Sequence, residues 1–172
     1  VTNALIGALG IMAAGQGTMN NFTFGNEAGY QNYETICGGA GAGPDFEGTD
    51  AIHTHMTNTR ATDPEILEWR FPVVVESFSI RHGSGGNGKH KCGNGIIRRV
   101  RFEEDMTAAI VSGHRRVPPF GVAGGEPGKI GHNYVERADG SITELTGTDM
   151  AEMKPGDVFV IETPGGGGYG KA

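Results

Sequence analysis

The stretch VVVESFSIRHGSGGNGKHKCGNGIIRRVRF, residues 73–102, decides the fold. Its opening run (73–81) and its closing run (95–102) are rich in branched and aromatic side chains, the composition of β-strands. Between them lies a glycine block, GSGGNG at 83–88. The same alternation extends in both directions. Further glycine blocks fall at 38–43 (GGAGAG), 124–125 and 165–168 (GGGG). Strand-like runs fall at 21–24 (NFTF), 30–37, 107–112 (TAAIVS) and 158–162 (VFVIE), the last fed by a KPGD turn at 154–157. Residues 133–137 and 142–145 read as a hairpin around Asp139-Gly140. Two helices are expected. One covers 1–14, with Leu5, Leu9 and Met12 on one face. The other is short, starting at Asp63 as N-cap with Pro64 in the first turn and ending before Pro72. The expectation is a mainly β (α+β) fold: a glycine-rich antiparallel β-sandwich or barrel-like domain with an N-terminal helix and one short internal helix, a single domain over 1–172.

Glycine supplies 31 of the 172 residues, about 18% against a usual share of about 7%. Glycine lets backbone approach backbone or ligand closely, so the blocks read as main-chain binding loops on a β scaffold. Val, Ile, Leu and Phe make up only about a fifth of the chain, which is thin for a self-sufficient core. No N-cap precedes the first helix, and the sequence reads as a piece of a longer polypeptide that borrows burial from elsewhere. The net charge of −6 argues against general nucleic-acid binding. No apolar run is long enough to cross a membrane. Cys37 and Cys92 make no disulfide framework, which points to a reduced, cytoplasmic protein.

Several groups of residues are candidates for chemistry. His53-Thr54-His55 would put both imidazoles on one face of a strand, where Asp50 or Asp45 could complete a divalent-metal site; two hydrogen-bonding histidines in a polar wall is the plainer reading. The later Pro-Gly-Asp also evokes a cupin barrel, but the remaining cupin ligands are missing. Cys37, ahead of a glycine block, could be a nucleophile assisted by backbone amides, or a small buried residue. Arg81, Lys89, Lys91, Arg98, Arg99 and Arg101 follow one another with no acidic residue between them, and Arg115 and Arg116 come after. Such clustering binds phosphate or carboxylate, or pairs with acidic surface. The 165–168 glycines could cradle a phosphate through backbone amides or make a tight turn. Thr57-Asn58-Thr59-Arg60 concentrates hydroxyl, amide and guanidinium groups suited to a small polar substrate, or to bracing the helix at Asp63.

The segments HTHMTNTRATDPEILEWRFPV (53–73), RHGSGGNGKHKCGNG (81–95), RRVPPFGVAGGEPG (115–128) and PGDVFVIETPGGGGYG (155–170), with TMNNFTFGN and YETICGGAGAGP before them, closely resemble the C-terminal part of the hydantoinase B / 5-oxoprolinase family. The resemblance runs over essentially the whole chain. It implies one part of an ATP-dependent cyclic-amide hydrolase, inactive alone, that opens 5-oxoproline to glutamate or opens a hydantoin ring. It also implies a hydantoinase A-like partner, fused or separate, holding ATP and Mg; an oligomeric assembly; and a relationship to acetone and acetophenone carboxylases. Any divalent metal would be held mainly by other parts of the enzyme. One departure is clear: relatives often carry an Arg-rich stretch ending in Gly-Asp-Gly where this chain has Lys89 to Gly95. A non-catalytic assembly role, docking the ATP-binding half, is the alternative from a different class. The expected site residues are His53 and His55 for proton transfer, and Asn58, Arg60, Arg98, Arg115 and Arg116 for substrate binding.

Overall fold

The computed structural model describes all residues except Thr18, Met56 and Asn58. The elements are α1 (Thr2–Ala8), β1 (Asn20–Gly25), β2 (Gln31–Thr35), α2 (Pro64–Arg70), β3 (Val73–Ile80), β4 (Ile96–Phe102), β5 (Met106–Ser112), β6 (His132–Glu136), β7 (Ile142–Leu145), β8 (Thr148–Met153) and β9 (Val158–Glu162). They build two antiparallel sheets, β2-β1-β5-β8 and β3-β4-β9-β6-β7, which form a sandwich and do not close into a barrel.

Period-two patterning creates the core. In β4, Ile96, Val100 and Phe102 point inward while Ile97, Arg99 and Arg101 alternate outward, as the pleat requires. Phe22 and Phe24 of β1 face them from the other sheet, with Phe22 4.9 Å from Phe159 and Phe24 5.4 Å from Phe102 between ring centroids. Removing the fully buried Phe22 ring would cost about 3–5 kcal/mol. Glu76 sits at a register shift between Val75 and Ser77. It takes up both Arg99 (3.2 Å) and Arg101 (3.1 Å) from the neighbouring strand.

The helix at Asp63 forms as expected: the Asp63 side chain accepts a hydrogen bond from the Glu65 N–H at 3.0 Å, with Pro64 opening the helix. The first helix is shorter than expected. It ends at Ala8 and buries none of its residues, because Gly10 turns the chain with φ +64°. Leu5 and Leu9 therefore face solvent. Beyond that turn, Ala13 and Ala14 donate hydrogen bonds to the carbonyls of Ala42 and Phe120 instead of continuing a helix.

That departure leads to the most unusual part of the fold. The glycine blocks at 38–43 and 165–168 are not surface loops. Residues 13–16, 38–43, 47–52, 84–95, 119–128 and 163–170 lie side by side and hydrogen-bond laterally, outside either sheet. Gly39 N–H donates to Pro164 O, Gly166 to Gly93 O, Gly93 to Ala40 O, Gly167 to Ala14 O, Ala42 to Gly167 O and Gly168 to Glu126 O, at 2.8–3.1 Å. The demand for glycine here is steric. None of Gly39, Gly93 and Gly166 has a positive φ, yet a Cβ on Gly39 would come within 2.6 Å of Gly166 N. Its centre, residues 13–16, most of 38–43 and 163–168, is buried, while 47–52 and most of 119–128 form its more exposed edge. The thin complement of large apolar residues is thus supplemented by tightly packed, hydrogen-bonded main chain.

Candidate functional site

The polar loop after Ile52 is pinned at its start, where Ile52 and Gly38 exchange backbone hydrogen bonds. It is not a strand. Ala51 and His55 both adopt positive φ (50° and 54°), so the strand-like alternation expected of the two histidines is absent. The rings take different partners: His55 Nε2 lies 2.7 Å from Asn3 Oδ1 of α1, and His53 Nε2 lies 3.4 Å from Thr59 Oγ1. Burial lowers both imidazole pKa values below the ordinary 6.5, so both rings are neutral at pH 7 and able to accept a proton. His53 Nδ1, Thr54 Oγ1 and Thr57 Oγ1 are buried without a hydrogen-bond partner among the described residues. Unspent polar capacity of this kind calls for a further group. Arg60 is exposed at the end of the loop, and Asn58 lies outside the described residues. Asp50 is spent elsewhere, accepting from Asn94 N (2.6 Å) and Asn94 Nδ2 (3.2 Å). Among the described residues no three His, Cys, Asp or Glu side chains gather as a metal-ligand set.

Arg98 occupies an inward position on β4 and is fully buried. Its guanidinium lies 2.8 Å from the Glu34 carboxylate of β2, linking the two sheets, although no guanidinium N–H lines up for a hydrogen bond. The Phe78 ring covers it at 4.9 Å. Burial raises the Glu34 pKa against the pull of Arg98. In this arrangement Arg98 is a structural cation with no surface for a ligand. Cys37 lies beside this pair. Burial raises its thiol pKa, opposite to what a nucleophilic thiolate needs. Cys92 is pushed up to about 11 by burial, and its Sγ lies 2.5 Å from Gly166 O. Neither thiol is poised for attack. The 165–168 amides do not fit a phosphate cradle either, because Gly166, Gly167 and Gly168 all donate within the bundle.

Most of the remaining basic run is paired on the outer sheet face: Arg99 with Glu136 (2.6 Å), Arg101 with Glu76 and Glu103, and Arg81 with Glu162 (2.8 Å). Arg115 and Arg116 differ. They line a cavity of about 440 Å³ together with Arg81 and Gly131, His132 and Asn133 at the start of β6. Sequence reasoning missed Arg81 and Gly131 as parts of this cavity. The signal was weak: one more arginine in a basic run, and one more glycine in a glycine-rich chain. A larger, more open concavity of about 980 Å³ lies on the outer face of the four-stranded sheet, around Tyr33, Thr107 and Met150. It holds none of the expected site residues.

Comparison with known proteins places the chain in a family. The family described as hydantoinase B/oxoprolinase matches residues 1–172. A relative named 5-oxoprolinase from Dictyostelium discoideum is 45% identical over 99% of this chain, which spans 13% of that protein. Among solved structures, the ATP-dependent caprolactamase from Pseudomonas jessenii superposes with a TM-score of 0.77 at 22% identity, covering 94% of this chain and 30% of the other. A nucleotide-free acetone carboxylase gives 0.71 at 18% identity, covering 91% and 26%. The sandwich recurs in both, and with the match running from the first residue to the last, the chain belongs to the hydantoinase B/oxoprolinase family.

Proposed function

We propose that this chain is one part of an ATP-dependent cyclic-amide hydrolase that opens 5-oxoproline to glutamate, and that it is inactive without a hydantoinase A-like ATP-binding partner. The observation that carries the reading is the 45% identity, over 99% of the chain, to a protein named 5-oxoprolinase. The caprolactamase that shares the fold is itself ATP-dependent, which supports the lactam class. The 166–168 amides are spent within the bundle, and the nucleotide and its Mg are assigned to the partner, as the family resemblance implies. Opening a lactam needs a base for the attacking water and donors for the charge that develops on oxygen. On this reading the 53–60 loop borders the ring. Neutral His53 or His55 takes the proton from water, and Asn58 and Arg60 hold the ring carboxylate or imide. His53, Thr54 and Thr57 hold buried polar atoms without a partner among the described residues, and these are the donors and acceptors a bound ring would complete.

The test is turnover of 5-oxoproline with ATP by the complete enzyme carrying His53→Ala, His55→Ala, Asn58→Ala or Arg60→Ala. A general base is worth about 10²–10⁴-fold in rate, so one histidine variant should lose kcat on that scale, and Arg60→Ala should raise KM. Unchanged activity at all four positions would assign this segment to assembly. Robust turnover by the isolated 172-residue chain would overturn its dependence on a partner.

A further inference from the structure

We propose that the cavity framed by Arg81, Arg115 and Arg116 is a binding site for a small oxyanion, a carboxylate or a phosphate group. The inference stands on the geometry of the cavity and does not depend on which ring the enzyme opens. Arg115 is the fixed element. Its guanidinium is held entirely by neutral acceptors: Asn133 Oδ1 at 2.8 and 3.2 Å, Asn20 Oδ1 at 2.7 Å and Gly113 O at 2.8 Å. A guanidinium carries five N–H donors. Four are used here, and one Nη2 N–H is left over. No carboxylate approaches Arg115 within ion-pair distance among the described residues. Burial, reinforced by the nearby charge of Arg81 and partly offset by Glu162, lowers its pKa to about 9, so it stays cationic at neutral pH without a carboxylate bonded to it.

The surroundings add to this excess. Arg81 is balanced by Glu162 at 2.8 Å, and His132 faces Glu144 at 2.5 Å. Arg116 is exposed on the rim and has no carboxylate partner among the described residues. The cavity wall thus carries two arginines with no ion-pair partner among the described residues, in a chain whose net charge is −6. The slot itself depends on a missing side chain, because a Cβ on Gly131 would come within 2.6 Å of the Arg115 guanidinium carbon. Arg115 also ties β1 to β6 through Asn20 and Asn133. That clamp explains the neutral hydrogen bonds. It does not explain why a second free arginine adjoins a cavity of about 440 Å³, a size within the range of small-ligand sites. An oxyanion would take the spare N–H of Arg115 and the planar fork of Arg116, the donor arrangement that arginine offers carboxylate and phosphate.

The anion has two chemical sources: the carboxylate of a substrate or product, or phosphate set free by nucleotide cleavage. Calorimetric titration of the full protein separates them, with inorganic phosphate in one arm and L-glutamate in the other, at constant ionic strength in chloride. We expect saturable binding in at least one arm, and that arm identifies the source. Arg116→Ala should weaken it about tenfold, the scale of one charge-assisted hydrogen bond, with an unchanged melting temperature because the side chain is exposed. Arg115→Gln should abolish it. If Arg115→Gln does not fold, Arg116→Ala and Arg116→Lys decide, with Lys retaining only part of the affinity. Absence of saturable binding in both arms, or unaltered affinity in Arg116→Ala, would overturn the proposal.

Discussion

Replacing Gly166 with alanine tests whether the glycine bundle is a packed core. A Cβ at this position would lie 2.5 Å from the Ala40 carbonyl carbon and 2.8 Å from Gly41 N, and closer still to Ala40 O. All are backbone atoms, which cannot rotate away. Restoring ordinary contact requires the two segments to part by about 1 Å. The hydrogen bonds from Gly166 N to Gly93 O and from Gly93 N to Ala40 O, both 2.9 Å, and from Gly86 N to Gly166 O, 3.0 Å, would then stretch beyond bonding distance. Each is worth about 1 kcal/mol net, and a buried group left unpaired costs about 1–3 kcal/mol. The expected loss is about 3–5 kcal/mol. In urea denaturation, with a slope of about 2–3 kcal/mol/M, that lowers the midpoint by about 1–2.5 M. Gly113→Ala is the internal control. Its Cβ would meet only Met19, at 3.8 Å, and its φ is not positive. It should be neutral or slightly stabilising, through lost freedom of the unfolded chain. A Gly166→Ala protein within about 1 kcal/mol of wild type would refute the packing argument.

Three further outcomes are expected. Glu34→Gln strands the buried Arg98 charge and should cost about 3–5 kcal/mol, while the double change Glu34→Met/Arg98→Met should recover most of it; urea melts of the single and double variants check this, and a loss below about 1 kcal/mol in Glu34→Gln would contradict it. Cys92, with its pKa near 11, and Cys37, raised by burial, should resist a thiol reagent at pH 8 until the protein is unfolded; rapid stoichiometric labelling of the native state would contradict it. His53 and His55 titrate below 6.5 when folded and at about 6.5 when unfolded, so the unfolded chain binds the extra protons first and stability should fall as pH drops below about 6.5; NMR midpoints at or above 6.5 would contradict the sign.

The strands at 73–80 and 96–102 were legible because their side chains are β-branched or aromatic and their inward positions alternate. Asp63-Pro64 was legible because capping is local chemistry. β8 was not, because Thr148–Met153 (TDMAEM) contains few β-formers and only Ala151 and Met153 face inward. The glycine blocks were visible, but their use was not: whether a glycine run turns, binds or stacks depends on partners more than a hundred residues away, as for Gly39 and Pro164. In the candidate site, His55 was misplaced by assuming strand alternation: its backbone is left-handed (φ 54°), and its ring meets Asn3, far away in sequence. Arg98 is the instructive case. Its parity with Ile96, Val100 and Phe102 already placed it on the core face, and weighting that parity above its charge would have moved it from the ligand to the core.

The 163–170 segment lies at the centre of the bundle. Its backbone bonds to segments around residues 14, 39–42, 86–93, 122 and 126, so it is the common partner that the others lack when it is absent. Folding must close several long loops at once, which slows the search for the native state. Once closed, these amides should open together and exchange with deuterium as a single late unit, distinct from the hairpins at the sheet edges.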